Sequence, residues 1–500
     1  MMPSKVPIKM SDEASSRRRA AARVRRVRGR FDSAVTNDDN RRHWANADAY
    51  SADVAASVDV RRTLRNRARY EVANNSYARG IVCTLANDTI GTGPRLQLLT
   101  DDSDLNRQVE HDFERWAMAV RLAEKLRTTR MARCQDGEGF GILANNPNLD
   151  HPIKLDLLLV EADRVTSTFS TMPTDNEVDG IKLDEFGNPT EYRVLKHHPG
   201  GNRWGGTDDA DYIPARNVIH MFRADRPGQH RGLTELMPAL GLFAQLRRYT
   251  LAVIAAAETA ADYAAVLYTD APADGEAEPA DPFDTVELES RMATTIPMGW
   301  KLAQIKAEQP ATTYAEFKKE ILNEIARCIS IPFNVAAGNS SGYNYASGRL
   351  DHQTYFKSIR VDQAFTAERA LDPILAQWLW EWQLLHGVML AMTQHQWFWD
   401  GTEHVDPQKE AKAQETRLKN HTTTLANEYA RQGKDWEAEI QQRAREKKLL
   451  QSLGLTEGET ASHPSKKAAA IARTNHKLAR QLIADLQDTL KDEEDDDATQ

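Results

Sequence analysis

Five hundred residues correspond to about two to four domains at roughly 100 to 200 residues each, enough to bury a substantial core. Lys plus Arg number 64 against 73 Asp plus Glu, a net charge of −9, with 41% hydrophobic and 27% charged residues. This balance fits a soluble, globular, intracellular chain and excludes a uniformly basic nucleic-acid coat, because such affinity comes from Lys and Arg displacing counterions.

The first 30 residues carry Lys5, Lys9, Arg17, Arg18, Arg19, Arg23, Arg25, Arg26, Arg28 and Arg30 against Asp12 and Glu13. They lack the apolar centre of a signal peptide. A basic arm of this kind is a solvated segment or a contact for nucleic acid or an acidic partner, and the residues alone leave both open.

Residues 44–130 read mostly as helix. Leu64, Tyr70, Val72, Ile81, Val82 and Leu85 recur at spacings of three and four within 60–90. Leu105, Val109, Phe113, Trp116 and Val120 form one helical stripe within 104–126. Between them Gly91-Thr92-Gly93-Pro94 breaks the helix, and Arg95-Leu96-Gln97-Leu98 alternates as a short strand. Residues 139–223 change character: strand-length runs at 140–143, 153–160, 180–183, 191–196 and 217–222 are separated by Gly, Pro and Asn turn signals. The expected product is an α+β domain with a mainly antiparallel sheet.

A long helix is predicted over 234–268, rich in Ala and Leu with Pro238 in its first turn, spanning about 45 Å at 1.5 Å per residue. The chain then turns acidic. Asp270, Asp274, Glu276, Glu278, Asp281, Asp284, Glu287 and Glu289 occur without Lys or Arg and among three prolines, a composition that buries too little apolar area to form core. Residues 292–307 read as short extended pieces. A second helix is predicted over 314–330, with Phe317, Ile321, Ile325 and Cys328 on one side, stopped by Ile331-Pro332. The polar loop Asn339-Ser340-Ser341-Gly342-Tyr343-Asn344-Tyr345 follows, and helix resumes from Gly348 to about 392. Trp378, Trp380, Trp382, Trp397 and Trp399 are read as packing between helices. Residues 406–453 are charged and helical, 466–490 form one more helix, and the acidic tail from Asp492 is expected to be disordered.

Cys83, Cys134 and Cys328 fit neither a disulfide framework nor a clustered zinc site and are expected as reduced core residues. Glu258 and Asp262, and Glu381 and His386, interrupt the two most apolar stretches, so neither reads as a membrane span of about 20 apolar residues. A phosphate-binding loop is missing, since Gly433-Lys434 is followed by Asp435 and lacks the upstream glycine. The alternate glycines of Asp136-Gly137-Glu138-Gly139-Phe140-Gly141 suit a strand edge or close packing better than a nucleotide loop. His197-His198 reads as part of a solvated turn. One enzymatic alternative is a metal-dependent DNA-processing activity in which Asp136 and Glu138, with Glu161 and Asp163, hold a metal. Otherwise no catalytic residues, metal or cofactor are expected.

Several segments together resemble the lambda-type portal proteins of tailed bacteriophages. They are Asn74-Asn75-Ser76-Tyr77-Ala78-Arg79-Gly80; Asn87 with Ile90-Gly91-Thr92-Gly93-Pro94-Arg95-Leu96; Asp136-Gly137-Glu138; and Val218-Ile219-His220-Met221-Phe222-Arg223-Ala224-Asp225-Arg226-Pro227-Gly228-Gln229 with Arg231-Gly232. Ile331-Pro332 with Ser340 through Ser347, Asp406-Pro407 with Lys409-Glu410-Ala411, and Gly433-Lys434-Asp435 continue the series. Each piece is a common turn or loop, but their order and spacing over about 44–455 carry the resemblance. It implies a non-enzymatic ring of about twelve subunits. Such a ring is the channel at one capsid vertex through which double-stranded DNA is packaged and ejected.

On this mapping 1–43 is the arm, 44–233 an α+β wing, 234–268 and 314–330 the stem, and 269–313 a clip. Residues 331–348 are a tunnel loop, 349–455 a helical crown with a return to the wing, and 456–500 a C-terminal helix and acidic tail. The implied sites are the loop residues 339–345 facing DNA, and Asp270, Asp274, Glu276, Glu278, Asp281 and Asp284 of the clip docking partners. The implied partners are further copies of the chain, double-stranded DNA held transiently and without sequence preference, the terminase large subunit, head-tail connector proteins, and the major capsid and scaffold proteins. The expected location is the virion vertex, and the host cytoplasm during assembly. A different ring-forming head-tail adaptor is a further alternative.

Overall fold

The computed structural model describes residues 38, 41–168, 176–202, 209–262, 266–268, 301–303, 311–390, 394–401, 407–453 and 455. After a single helical turn (Ala52–Ala55) come two longer helices, α1 (Val58–Asn74) and α2 (Ser76–Ile90). Asn75 separates them, its side chain accepting the amides of Tyr77 and Ala78 as the N-cap of α2. Strand β1 (Arg95–Leu98) forms where its alternation predicts, but its partner β11 (His395–Phe398) comes from far along the chain.

The stripe over 104–126 is not one helix. It divides into α3 (Ser103–Ala119) and α4 (Leu122–Asp136) at Arg121, whose φ of 55° cannot continue a right-handed helix. Both sides of the break still bury the stripe, Phe113 and Trp116 on one helix and Leu122 and Leu126 on the other, so periodicity carried no sign of it.

The predicted antiparallel strands form two sheets. Strand β2 (Glu138–Asn145) is central in one, between β3 (Leu155–Val160) and β8 (Val218–Phe222). The other runs in order through β4 (Glu177–Val178), β5 (Ile181–Leu183), β6 (Pro189–Leu195) and β7 (Ala210–Pro214). Sequence reading missed β4 and β7; in β7 no side chain is fully buried, and Ile213 alone packs against the apolar cluster between the sheets, too little alternation to announce a strand.

The long helix is shorter than predicted at both ends. Residues 234–236 are tied to the end of α4, where the Glu235 amide and the Thr234 hydroxyl both donate to the Cys134 carbonyl. A 3₁₀ turn (Met237–Ala239) containing Pro238 then leads into α5 (Leu240–Asp262). Val266–Tyr268 is extended as β9 and pairs with β10 (Lys301–Ala303). Helix α6 (Ala311–Cys328) lies beside α5 and is followed by a turn in which Ser330, with a φ of 57°, sits in the left-handed region just before Ile331-Pro332. Then come α7 (Phe333–Ala337), α8 (Tyr345–Thr366), a π turn (Ala367–Leu371) and α9 (Asp372–His386), followed after β11 by α10 (Pro407–Lys419), α11 (Leu425–Arg431) and α12 (Trp436–Ser452).

Three apolar clusters hold this together. In the first, Val72, Ile81 and Leu85 meet Phe243 and Leu246 of α5, Leu322 and Ile325 of α6, and Tyr355 and Ile359 of α8. The second joins Phe113 and Trp116 to Trp378 and Trp382 of α9, with Phe113 and Trp378 edge to face at 5.2 Å. The Trp116 indole donates to the Leu155 carbonyl at 2.9 Å and that of Trp382 to Asp112 at 3.0 Å, while Trp380 is exposed. The third lies between the sheets, around Phe140, Ile181 and Tyr192. Cys134 is buried, Cys83 and Cys328 are half-buried, and all three are free thiols. Among the described residues no helix is long and apolar enough to cross a membrane.

Candidate functional site

The polar loop between α7 and α8 is built by its own side chains. Gly338 ends α7 with a φ of 62°, and the Asn339 amide returns to the Asn334 carbonyl at 3.0 Å. The Asn339 side chain accepts the Ser341 amide, the Tyr343 amide bonds the Ser340 carbonyl, and Gly342 supplies a second positive φ. Asn344 caps α8 by accepting the Ser347 amide at 2.8 Å. Asn339, Ser340, Ser341, Gly342 and Asn344 are exposed, so the loop presents amides and hydroxyls with no charge. Tyr343 is half-buried; burial and the nearby Asp351 push its hydroxyl above its ordinary value, so it stays neutral. Tyr345 begins α8.

The acidic clip candidates Asp270, Asp274, Glu276, Glu278, Asp281 and Asp284 lie outside the described residues. So do the arm's Arg17, Arg18, Arg19, Arg23, Arg25, Arg26, Arg28 and Arg30, the predicted helix over 466–490, and the acidic tail.

The carboxylates singled out for a metal are engaged by arginines instead. Glu138 is fully buried and takes Arg231 Nε at 2.9 Å and Nη2 at 2.6 Å, Arg65 at 3.3 Å, the His220 ring at 3.2 Å and the Gly232 amide at 3.1 Å. Burial alone would raise its carboxyl; the Arg231 charge and the bonds from His220 and Arg231 outweigh this and hold it well below the usual range. Asp136 is gripped at both oxygens by Arg69, at 2.8 Å each. Asp179 pairs with Arg61 and Arg231, and Asp163 with Arg65 and Arg69. Every one of these four carboxylates therefore already faces a permanent cation. A divalent ion at Asp136 or Glu138 would have to displace a guanidinium, which argues against the metal-dependent alternative.

The structure does gather Glu161, Asp163 and His198 within ligand distance of one another, which the reading of His198 as a turn residue missed. His198 Nε2 lies 3.0 Å from Glu161, and Arg69 stands 2.8 Å from Asp163, so this corner too is compensated by a cation. The signal that sequence reading overlooked is Arg61, Arg65 and Arg69, spaced i, i+4, i+8 and hence one basic stripe along α1.

The alternate glycines are close-packing residues, as their spacing suggested. A Cβ on Gly137, whose φ is 93°, would run into the Leu233 backbone; one on Gly139 would strike Thr129, and one on Gly141 would strike Leu157.

Comparisons with known proteins agree with the resemblance read from the segments. A relative described as a probable portal protein, from Halomonas phage phiHAP-1, is 26% identical, covering 79% of this chain and 81% of its own length. A chain in the virion of a native gene transfer agent particle is 13% identical with a TM-score of 0.43, covering 74% of this chain and 92% of that one. A chain in the neck of an empty gene transfer agent particle, computed with C6 symmetry, is 14% identical with a TM-score of 0.46, covering 77% and 99%. The family model described as phage portal protein, lambda family, matches residues 37–363. That match runs from ahead of α1 past the polar loop and through most of α8, and this chain belongs to the lambda family of phage portal proteins.

Proposed function

We propose that the chain is the subunit of a ring that forms the channel for double-stranded DNA at one capsid vertex, and the platform on which the terminase large subunit and head-tail connector proteins dock. The observation that carries this reading is the unbroken family match across α5, α6 and the loop at 339–345. In the proposed mapping, residues 44–233 form the wing, 234–268 and 314–330 the stem, 269–313 the clip, 331–348 the tunnel loop and 349–455 the crown. Major capsid and scaffold proteins would surround the wing, and the particle would assemble in the host cytoplasm.

The loop suits a sliding contact. A channel passing DNA of any sequence gains nothing from base readout, and every phosphate held by a Lys or Arg adds salt-sensitive affinity that slows movement. Neutral Asn339, Ser340, Ser341, Asn344 and Tyr343 can touch the backbone without gripping it. In a ring each becomes a belt, because rotation repeats it at one height. Negative-stain imaging of the purified chain is expected to show rings with a central hole; a preparation that stays monomeric across concentrations would overturn the reading.

A further inference from the structure

We infer that the apolar groove between α9 and the paired strands β2 and β3 is the seat of the chain's own predicted helix over 466–490. The inference stands apart from the ring reading and needs no second copy of the chain.

The groove has a volume of about 490 Å³, with Trp380, Leu384 and Leu385 of α9 on one wall and Leu143, Pro152 and Leu155 on the other. The Glu381 carboxylate joins the walls by accepting the Leu155 amide at 3.2 Å. Helix α9 is apolar on two sides. Trp378, Leu379 and Trp382 enter the second core cluster, whereas Trp380, Leu384 and Leu385 are 57%, 67% and 54% exposed. A helix apolar around most of its girth is ordinarily buried all round, so this open face marks an absent neighbour.

Pattern, charge and reach all select the segment beyond α12. Ile471, Leu478, Leu482 and Leu486 recur at spacings of seven, four and four, one apolar stripe of a helix. From Leu478 to Leu486 the stripe runs about 12 Å, the same eight-residue length as the groove wall from Gln377 to Leu385. Arg473, Lys477, Arg480 and Asp488 fall on the opposite side and stay in water when the stripe is seated. Asp485 borders the stripe, where it can meet Lys154 on the groove wall, an ammonium with three donors of which one goes to the Leu149 carbonyl at 2.7 Å.

The reach is ample. Helix α3 carries α12 through Arg107 and Gln441 at 3.3 Å, and carries α9 through Asp112 and the Trp382 indole at 3.0 Å. Residues 107 and 112 stand about 7.5 Å apart along α3, and α12 continues about 17 Å from Gln441 to its end at Ser452. The 16 residues from Leu455 to Ile471 extend to about 50 Å, enough to turn back onto α9. So short a tether presents the segment at an effective concentration on the order of mM, an advantage that a second copy or a separate protein lacks.

The test is hydrogen exchange of the full chain, read by mass spectrometry over 466–490. In the parent these amides are expected to exchange at least ~10-fold more slowly than unstructured chain, at every protein concentration. Leu482→Asp with Leu486→Asp, which spoils the stripe, and Leu384→Asp, which spoils the groove, should each abolish that protection. Val361→Asp, at a position on α8 that is 69% exposed, should leave it intact. A segment that exchanges as unstructured chain in the parent, or protection that survives Leu384→Asp, overturns the inference. Protection that fades on dilution also overturns it, and assigns the groove to a neighbouring copy. Rings seen by negative stain bear only on the ring reading, so the two fail separately.

Discussion

Glu138 shows how a side chain with the chemistry of a metal ligand becomes a structural anchor. With no solvent access, its charge is tolerable only because Arg231, Arg65 and His220 converge on it. Arg231→Met should therefore cost about 3–5 kcal/mol in urea unfolding, because a buried carboxylate loses its main partner. The double change with Glu138→Gln should recover part of that cost. Acid should weaken the same region in two stages. His220 is stacked between Phe140 and Phe222, and burial pushes its pKa down, with the Glu138 hydrogen bond opposing. The unfolded chain thus takes up this proton near 6.5 while the folded chain does not, so stability falls as pH drops below about 6.5. Burial raises the Glu235 carboxyl, but the Arg130 and Arg133 charges prevail and lower it from 4.5 to about 2. Its stabilisation is present above about pH 4.5 and is lost as pH falls toward 2. Denaturant midpoints between pH 7 and 3 should show both declines, and His220→Gln should flatten the first while leaving the second.

At the scale of elements, local capping decides where helices start. Asn75, Asp102, Asn344, Thr424 and Asp435 each accept a backbone amide in the first turn of the helix that follows. For α8 that cap is also part of the candidate loop. Asn344→Ala should cost about 1 kcal/mol of stability, while Asn344→Asp should keep the cap and add a negative belt to the proposed channel. If capsids carrying Asn344→Asp package and retain DNA as the parent does, the loop does not meet DNA. The same local view explains why α5 is shorter than its sequence predicts. Residues 234–236 have helical propensity, but the Cys134 carbonyl and the Arg130 and Arg133 guanidiniums hold Thr234 and Glu235, and helix begins only after the turn at Pro238.

For the whole molecule, the proposed function has the chain supply a channel and another protein supply the work of moving DNA. The homogeneous protein is expected to show no DNA-stimulated ATP hydrolysis; robust turnover that follows the protein through purification would count against the proposal. The net charge of −9 is unevenly spread, with a basic arm, an acidic stretch from Asp270 and an acidic tail. In a ring of about twelve copies each bias would become a belt of one sign.

The sequence by itself determined what depends on neighbours along the chain: the helices from their apolar spacing, the stop at Ile331-Pro332, the polar loop, the packing role of the glycines after Asp136, and the family. It also carried the arginine stripe of α1, since i, i+4, i+8 places Arg61, Arg65 and Arg69 on one face, but gave no sign of what they meet. Only the tertiary structure decided that. It brought Glu138, Asp163, Asp179 and Arg231 to that stripe from separate strands and turns, and it paired β1 with β11 across most of the chain. The physical reason is that propensity and periodicity act over a few residues, whereas ion pairing and strand pairing depend on distances in space that folding alone creates.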